Sequence, residues 1–192
     1  GEEAGGRAGA VVWGREGRHG NGEEGGMEVE AGRAARWEDD INSGVHRIFA
    51  SGLRNPNGLA WEAVRGALWT TVNERDELGS DLVPDYMTSV RDGGFYGWPY
   101  AYFGAHPDPR MKDDPHPELV NKTIIPDVPL GSHTASLGLA FYTQGDFPQH
   151  SKGGMFIGQP GSWDLSVLSG HKGVFVHFAH VQPPATTECL LS

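Results

Sequence analysis

The chain has 192 residues, with 25 acidic against 15 basic side chains and a formal net charge of −10. That length allows one domain with its own core, and the anionic balance repels a polyanion, which excludes nucleic acid as a partner. No run of 18 or more apolar residues is present to span a membrane, the N-terminus shows no basic stretch leading into an apolar one, and the single cysteine, Cys189, makes neither an internal disulfide nor a thiolate cluster.

The 29 glycines and 13 prolines, about a fifth of the chain, fit many short strands joined by turns, so an all-β fold is expected. Residues 1–36 are rich in Gly, Glu and Arg without a clear period, and are expected to be irregular. Residues 37–41, 42–44 and 45–50 read as strand, turn and strand. A second pair, 58–61 and 67–72, flanks a turn at Arg65 and Gly66. Residues 73–135 carry many Pro, Asp, Gly and aromatic residues and read as long structured loops, the kind that are functional or inserted. Inside them, 82–90 is the one candidate for helical spacing, and Pro84 interrupts it. Strand patterns resume at 137–142, 154–158 and 173–178. The tetrapeptide GLAW at 58–61 returns as GLAF at 138–141, an offset of 80 residues. That offset corresponds to two propeller blades of about 40 residues each.

Four motifs carry candidate chemistry. In LRNPNG (53–58), Arg54 offers a planar fork of donors suited to a carboxylate or quinone oxygen. Asn55 adds a donor and an acceptor, and Pro56 holds Asn55 out of the helical region. The same hexapeptide also reads as a plain turn between strands. In NERDELGSD (73–81), clustered carboxylates and loop carbonyls suit a hard cation such as Ca²⁺, although the spacing is not that of an EF-hand and a solvated acidic loop is the plainer reading. GGFYGWPY (93–100) reads as a tight turn pinned by packed rings, or as a stacking platform for a planar ligand. GQPGSWDL (158–165) reads as a loop at a sheet end. His133 stands without a Cys, Asp or second His at metal spacing, and reads as a hydrogen-bonded structural histidine or else a base.

Taken in order, IFASGLRNPNGLAWE (48–62), LWTTVNERDELGSDLVPDY (68–86), GGFYGWPY (93–100), GSHTASLGLAFY (131–142) and GGMFIGQPGSW (153–163) resemble the glucose/sorbosone dehydrogenase family, and within it the sorbosone dehydrogenase-like proteins. The resemblance runs over residues 27–179 and leaves 1–26 as an irregular segment and 180–192 as a tail outside the family. It implies a six-bladed β-propeller, present here as an incomplete copy of roughly three to four blades. It also implies pyrroloquinoline quinone (PQQ) and Ca²⁺ as cofactors and a small sugar as substrate, an aldose or sorbosone oxidised at its aldehyde or anomeric carbon. By the same resemblance, Arg54 and Asn55 contact PQQ together with Asn73 and Arg75. The backbone carbonyls of Glu74 and Arg75 hold the PQQ-linked Ca²⁺, and Glu77 and Asp81 correspond to acids that bind further calcium.

The sequence departs from the family pattern in two places that bear on activity. The family's catalytic histidine lies upstream of the segment matching 27–41, and nothing here matches it, so the base is expected to be missing. Pro160 and Leu165 stand where the family has a histidine and an arginine. An inactive propeller fragment that at most binds a ligand or a protein is therefore the alternative expectation. Unpaired blade edges would favour self-association. The resemblance also implies a periplasmic or secreted location.

Overall fold

The computed structural model describes residues 4–7, 9–16, 30–161, 171–178 and 187–191. The chain divides into two units: Gly1–Asn57 with Val90–Pro126, and Gly58–Ser89 with Asp127–Ser192. Among the described residues the regular structure of both is almost all strand, joined by turns and loops, as the glycine and proline content predicts.

The first unit holds a five-stranded sheet ordered β1-β2-β3-β4-β8, made of β1 (Ala4–Arg7), β2 (Ala10–Arg15), β3 (Ala35–Asp40), β4 (His46–Ser51) and β8 (Gly94–Phe95). The first four pair antiparallel, and β8 joins β4 in parallel. The hairpin between β3 and β4 falls where 42–44 was expected to turn. The Asp40 carboxylate accepts the Asn42 and Ser43 amides, each at 2.8 Å, and Gly44 takes φ +70°. Those two amides, Ser43 first, hold the Asp40 carboxyl below its usual range. Residues 4–7 and 10–15 do not follow the irregular expectation. Ala10, Val11, Val12 and Trp13 form a strand-favouring core within glycine-rich surroundings, and the Ala10 and Val12 side chains are buried while β2 pairs with β3. The unit also carries a short pair, β9 (Ala101–Tyr102) and β10 (His106–Pro107), and one helical turn, α1 (Pro117–Val120).

The second unit holds two four-stranded sheets. One is ordered β11-β7-β6-β5, from β5 (Asn55–Trp61), β6 (Leu68–Asn73), β7 (Pro84–Val90) and β11 (Val128–Ser132). The other is the antiparallel run β12 (Leu139–Phe141), β13 (Met155–Gln159), β14 (Lys172–Val176) and β15 (Thr187–Leu191). Their facing sides close on one core: Trp69, Met87, Val128 and Leu130 from the first sheet pack with Met155, Ile157, Val174 and Val176 from the second. The candidate helix over 82–90 is strand β7. Pro84 occupies its first position, where no ladder donor is needed, and Tyr86, Met87, Thr88 and Val90 are strand formers with buried side chains. The expected loop region 73–135 thus contains β7 and β11. The tail beyond 180 contributes β15 beside β14.

The repeated tetrapeptides occupy equivalent places, in β5 and β12, each the edge strand that opens its sheet. Between them lie the rest of the β11-β7-β6-β5 sheet and the strands β8, β9 and β10. Residues 91–127 are inserted between β7 and β11.

Candidate functional site

Arg54 precedes β5 and Asn55 is its first residue; both belong to the first unit, whose boundary after Asn57 falls within that strand. Glycine decides their placement. A Cβ on Gly52 would lie 2.7 Å from the Gly97 amide nitrogen, and one on Gly97 would lie 2.5 Å from the Ala101 carbonyl oxygen. Both positions have positive φ, +75° and +115°. This close approach lets Tyr96 and Trp98 donate their amides to the Ser51 and Gly52 carbonyls at 2.9 and 3.0 Å. Trp98 is thereby fixed under Arg54, whose guanidinium carbon stands 5.7 Å from the ring centroid. The motif 93–100 is thus the turn pinned by packed rings that its composition suggests: Tyr96 is fully buried and its hydroxyl accepts the Arg91 amide at 3.0 Å. Beside Arg54, the Asn55 side-chain oxygen is buried with no hydrogen-bond partner in the protein. A carboxamide left in that state calls for a polar complement from outside the chain.

The expected cation loop begins in the second unit, where β6 ends at Asn73. Glu74 and Arg75 are buried, whereas Glu77 and Asp81 are exposed. Among the described residues no group of three or more His, Cys, Asp or Glu side chains is placed to hold a metal. Glu74, Asp76 and Asp85 bring three carboxyl groups to the loop, and the Arg75 guanidinium donates through Nε to the Asp76 carbonyl at 3.0 Å.

Asp85, on β7, is the residue that holds this loop and that sequence reading missed. Its Oδ1 accepts the Glu74 amide at 3.0 Å, and its Oδ2 accepts the Thr134 hydroxyl at 3.2 Å. Burial pushes its carboxyl above the ordinary aspartate value, opposed first by the Glu74 amide and then by the Thr134 hydroxyl. Beyond Thr134 the polar chain continues to the Ser136 hydroxyl at 3.0 Å, and from there to Gln159 Nε2 at 2.9 Å. All four side chains are buried. Nothing in the local sequence marks Asp85, because its partners lie 11 and 49 residues away.

His133 is the structural histidine of the two sequence readings. Its ring is buried, with Nδ1 3.1 Å from the Asp76 carboxylate and Nε2 donating to the Gly79 carbonyl at 3.3 Å. The Nε2 hydrogen bond ties the ring to the loop, while Nδ1 faces the Asp76 carboxylate without a hydrogen bond of good geometry. Pro160 is exposed at the end of β13, and Leu165 lies outside the described residues.

A family model for glucose/sorbosone dehydrogenases matches residues 35–177, about three-quarters of the chain. The chain belongs to the glucose/sorbosone dehydrogenase family. Among curated relatives, the aldose sugar dehydrogenase YliI of Escherichia coli is 32% identical over 122 residues, 64% of this chain and 31% of that protein. An uncharacterised protein of Borreliella burgdorferi is 30% identical over 135 residues, 69% of this chain and 35% of that one. The chain therefore spans about a third of the length of these relatives. Of solved structures, the PQQ domain of pyranose dehydrogenase from Coprinopsis cinerea aligns with a TM-score of 0.70 at 18% identity, over 96% of this chain and 56% of that one. The soluble aldose sugar dehydrogenase of Escherichia coli aligns with a TM-score of 0.64 at 20% identity, over 94% and 50%. At these identities the structural matches establish the all-β, propeller-like family fold and nothing finer.

Proposed function

We propose that this chain is part of a PQQ-dependent sugar dehydrogenase, with an aldose or sorbosone oxidised at its aldehyde or anomeric carbon. The observation that carries the reading is the pair at the start of β5: a guanidinium braced on the Trp98 ring beside a buried carboxamide oxygen that the protein leaves without a hydrogen-bond partner. A rigid anion rich in oxygen and bearing one ring N–H answers both groups. Arg54 would bind a PQQ carboxylate through its fork of donors, and Asn55 would meet a polar ring atom. PQQ, when bound, supplies the acceptor for the hydride and so carries the redox chemistry. In the second unit, the carbonyls of Glu74 and Arg75 would hold Ca²⁺, with Asn73 and Arg75 also serving the cofactor and Glu77 and Asp81 available to further calcium. Three sheets of four or five strands support an arc of roughly three to four blades. The family resemblance supports a periplasmic or secreted setting.

A second reading, a ligand-binding propeller piece without turnover, is favoured by His133. It is the one buried histidine among the described residues, and its Nε2 is committed to the Gly79 carbonyl of the loop. Calorimetric titration with PQQ in the presence of Ca²⁺, followed by dye reduction with a panel of aldoses, separates the two. Saturable binding with reduction supports the enzyme, binding without reduction supports the second reading, and no binding removes both.

A further inference from the structure

We propose that residues 131–136 form a clamp that presets the 73–79 loop, acting through Asp85 as a positioning residue and through His133, so that the loop is held ready for a hard cation. The cation half of this inference rests on the function proposed above; the clamp itself does not.

The segment is bent in an uncommon way. Gly131, His133 and Ala135 all have positive φ, +96°, +53° and +51°, so every second residue is left-handed and two of them carry a Cβ. Such a conformation is uphill for these residues and persists only where the surroundings over-determine it. Here the surroundings are the loop. His133 reaches Asp76 and the Gly79 carbonyl, while its neighbour Thr134 reaches Asp85, which grips the Glu74 amide. The loop is thus fixed at residues 74, 76 and 79 by two consecutive side chains of one strained segment.

The polar chain behind Thr134 has a definite direction. Gln159 Nε2 lies 3.3 Å from the Leu130 carbonyl, which can only accept, so the nitrogen end of that amide faces inward. The same nitrogen must then donate to Ser136, the Ser136 hydroxyl to Thr134, and the Thr134 hydroxyl to Asp85. Every donor points toward the carboxylate that receives the Glu74 amide. Thr134 is therefore held in the one hydroxyl orientation that serves Asp85, and the carbonyl that follows the Glu74 amide inherits that order. Polar groups that orient the ligands of a cation typically shift its affinity by ten- to a hundredfold when removed.

The test uses the full 192-residue chain and two readouts. Amide exchange at Glu74, followed by NMR without metal, reports the clamp; calorimetry with Ca²⁺ alone reports the cation. Thr134→Val is expected to speed Glu74 exchange about tenfold and to weaken Ca²⁺ binding about tenfold. Val176→Ala, in the core between the sheets, lowers global stability without either local effect. Should Thr134→Val fail to fold, Ser136→Ala breaks the same chain one step back. Glu74 exchange that does not change beyond the Val176→Ala control, in whichever of these variants folds, overturns the clamp. Faster exchange in the variant, with no saturable Ca²⁺ binding by the wild-type chain, overturns the cation reading and leaves the clamp standing.

Discussion

Gly58 approaches Leu137 so closely that a Cβ on it would stand 2.6 Å from the Leu137 carbonyl oxygen and 3.0 Å from the Leu139 amide nitrogen. The two copies of the repeated tetrapeptide therefore meet in space, and the glycine that opens the first is the contact that lets β5 lie against the entry to β12. Gly58 also has φ +24°, where a side chain is strained. Gly58→Ala is expected to cost about 2 kcal/mol from strain and displacement together. The check is a lower urea midpoint with an unchanged m-value.

The core between the two sheets of the second unit should behave as a packed interior. Ile157 is 1% exposed there, whereas Val64, in the turn between β5 and β6, is 88% exposed. Ile157→Ala is expected to lose about 3 kcal/mol, through lost burial plus the cavity left behind, and Val64→Ala to change stability by less than about 0.5 kcal/mol. Paired thermal melts decide this: a similar drop in both would mean that the sheets do not pack as described.

His116 gives the first unit a pH signature. Its Nδ1 lies 2.8 Å from Glu118 and its Nε2 3.0 Å from Asp114, and the Glu118 hydrogen bond is the main reason its pKa is raised. A raised histidine value contributes stability in full below the unfolded value near 6.5, and that contribution fades as pH rises through the folded value. Glu118, lowered mainly by the same bond, contributes above its unfolded value and loses that contribution as pH falls through its folded one. The pair therefore helps most in mildly acidic solution. His116→Gln should lower the melting temperature near pH 6 and leave it nearly unchanged near pH 8.5. The imidazole titration in the wild-type chain, followed by NMR, should have its midpoint above the ordinary histidine value.

Arg54→Lys tests the cofactor reading without changing charge. A lysine keeps the positive charge but loses the fork of donors and the guanidinium over the Trp98 ring. PQQ affinity measured by calorimetry should fall about tenfold or more, with the circular dichroism spectrum unchanged. Equal affinity in the two chains would mean that Arg54 does not contact the cofactor.

Much of this was legible from local chemistry. The β3–β4 hairpin follows from Asn42, Ser43 and Gly44, and β5, β6 and β13 follow from short apolar runs bounded by turns. The failures share a physical cause. β7 hides behind Pro84, because a proline is excluded from a helix but is harmless at a strand's first residue. β2 hides in glycine-rich surroundings, because its stability comes from pairing with a distant strand. Asp85 looks like any surface aspartate in sequence. Its weight comes from burial and from partners far along the chain, and neither has a local signature. Arg54 and Asn55 were visible as a pair, but the ring that braces one and the orphaned oxygen of the other were not.

The insertion between β7 and β11 also bears on how the chain reaches its native state. The second unit is left at Ser89 and rejoined only at Asp127, so neither unit is a contiguous stretch of polypeptide. A nascent chain must finish residues 90–126 before β11 can pair with β7, and its early product carries an open strand edge in the meantime. Folding is thereby committed to late, long-range closure, and no single cut in the backbone would release either unit whole.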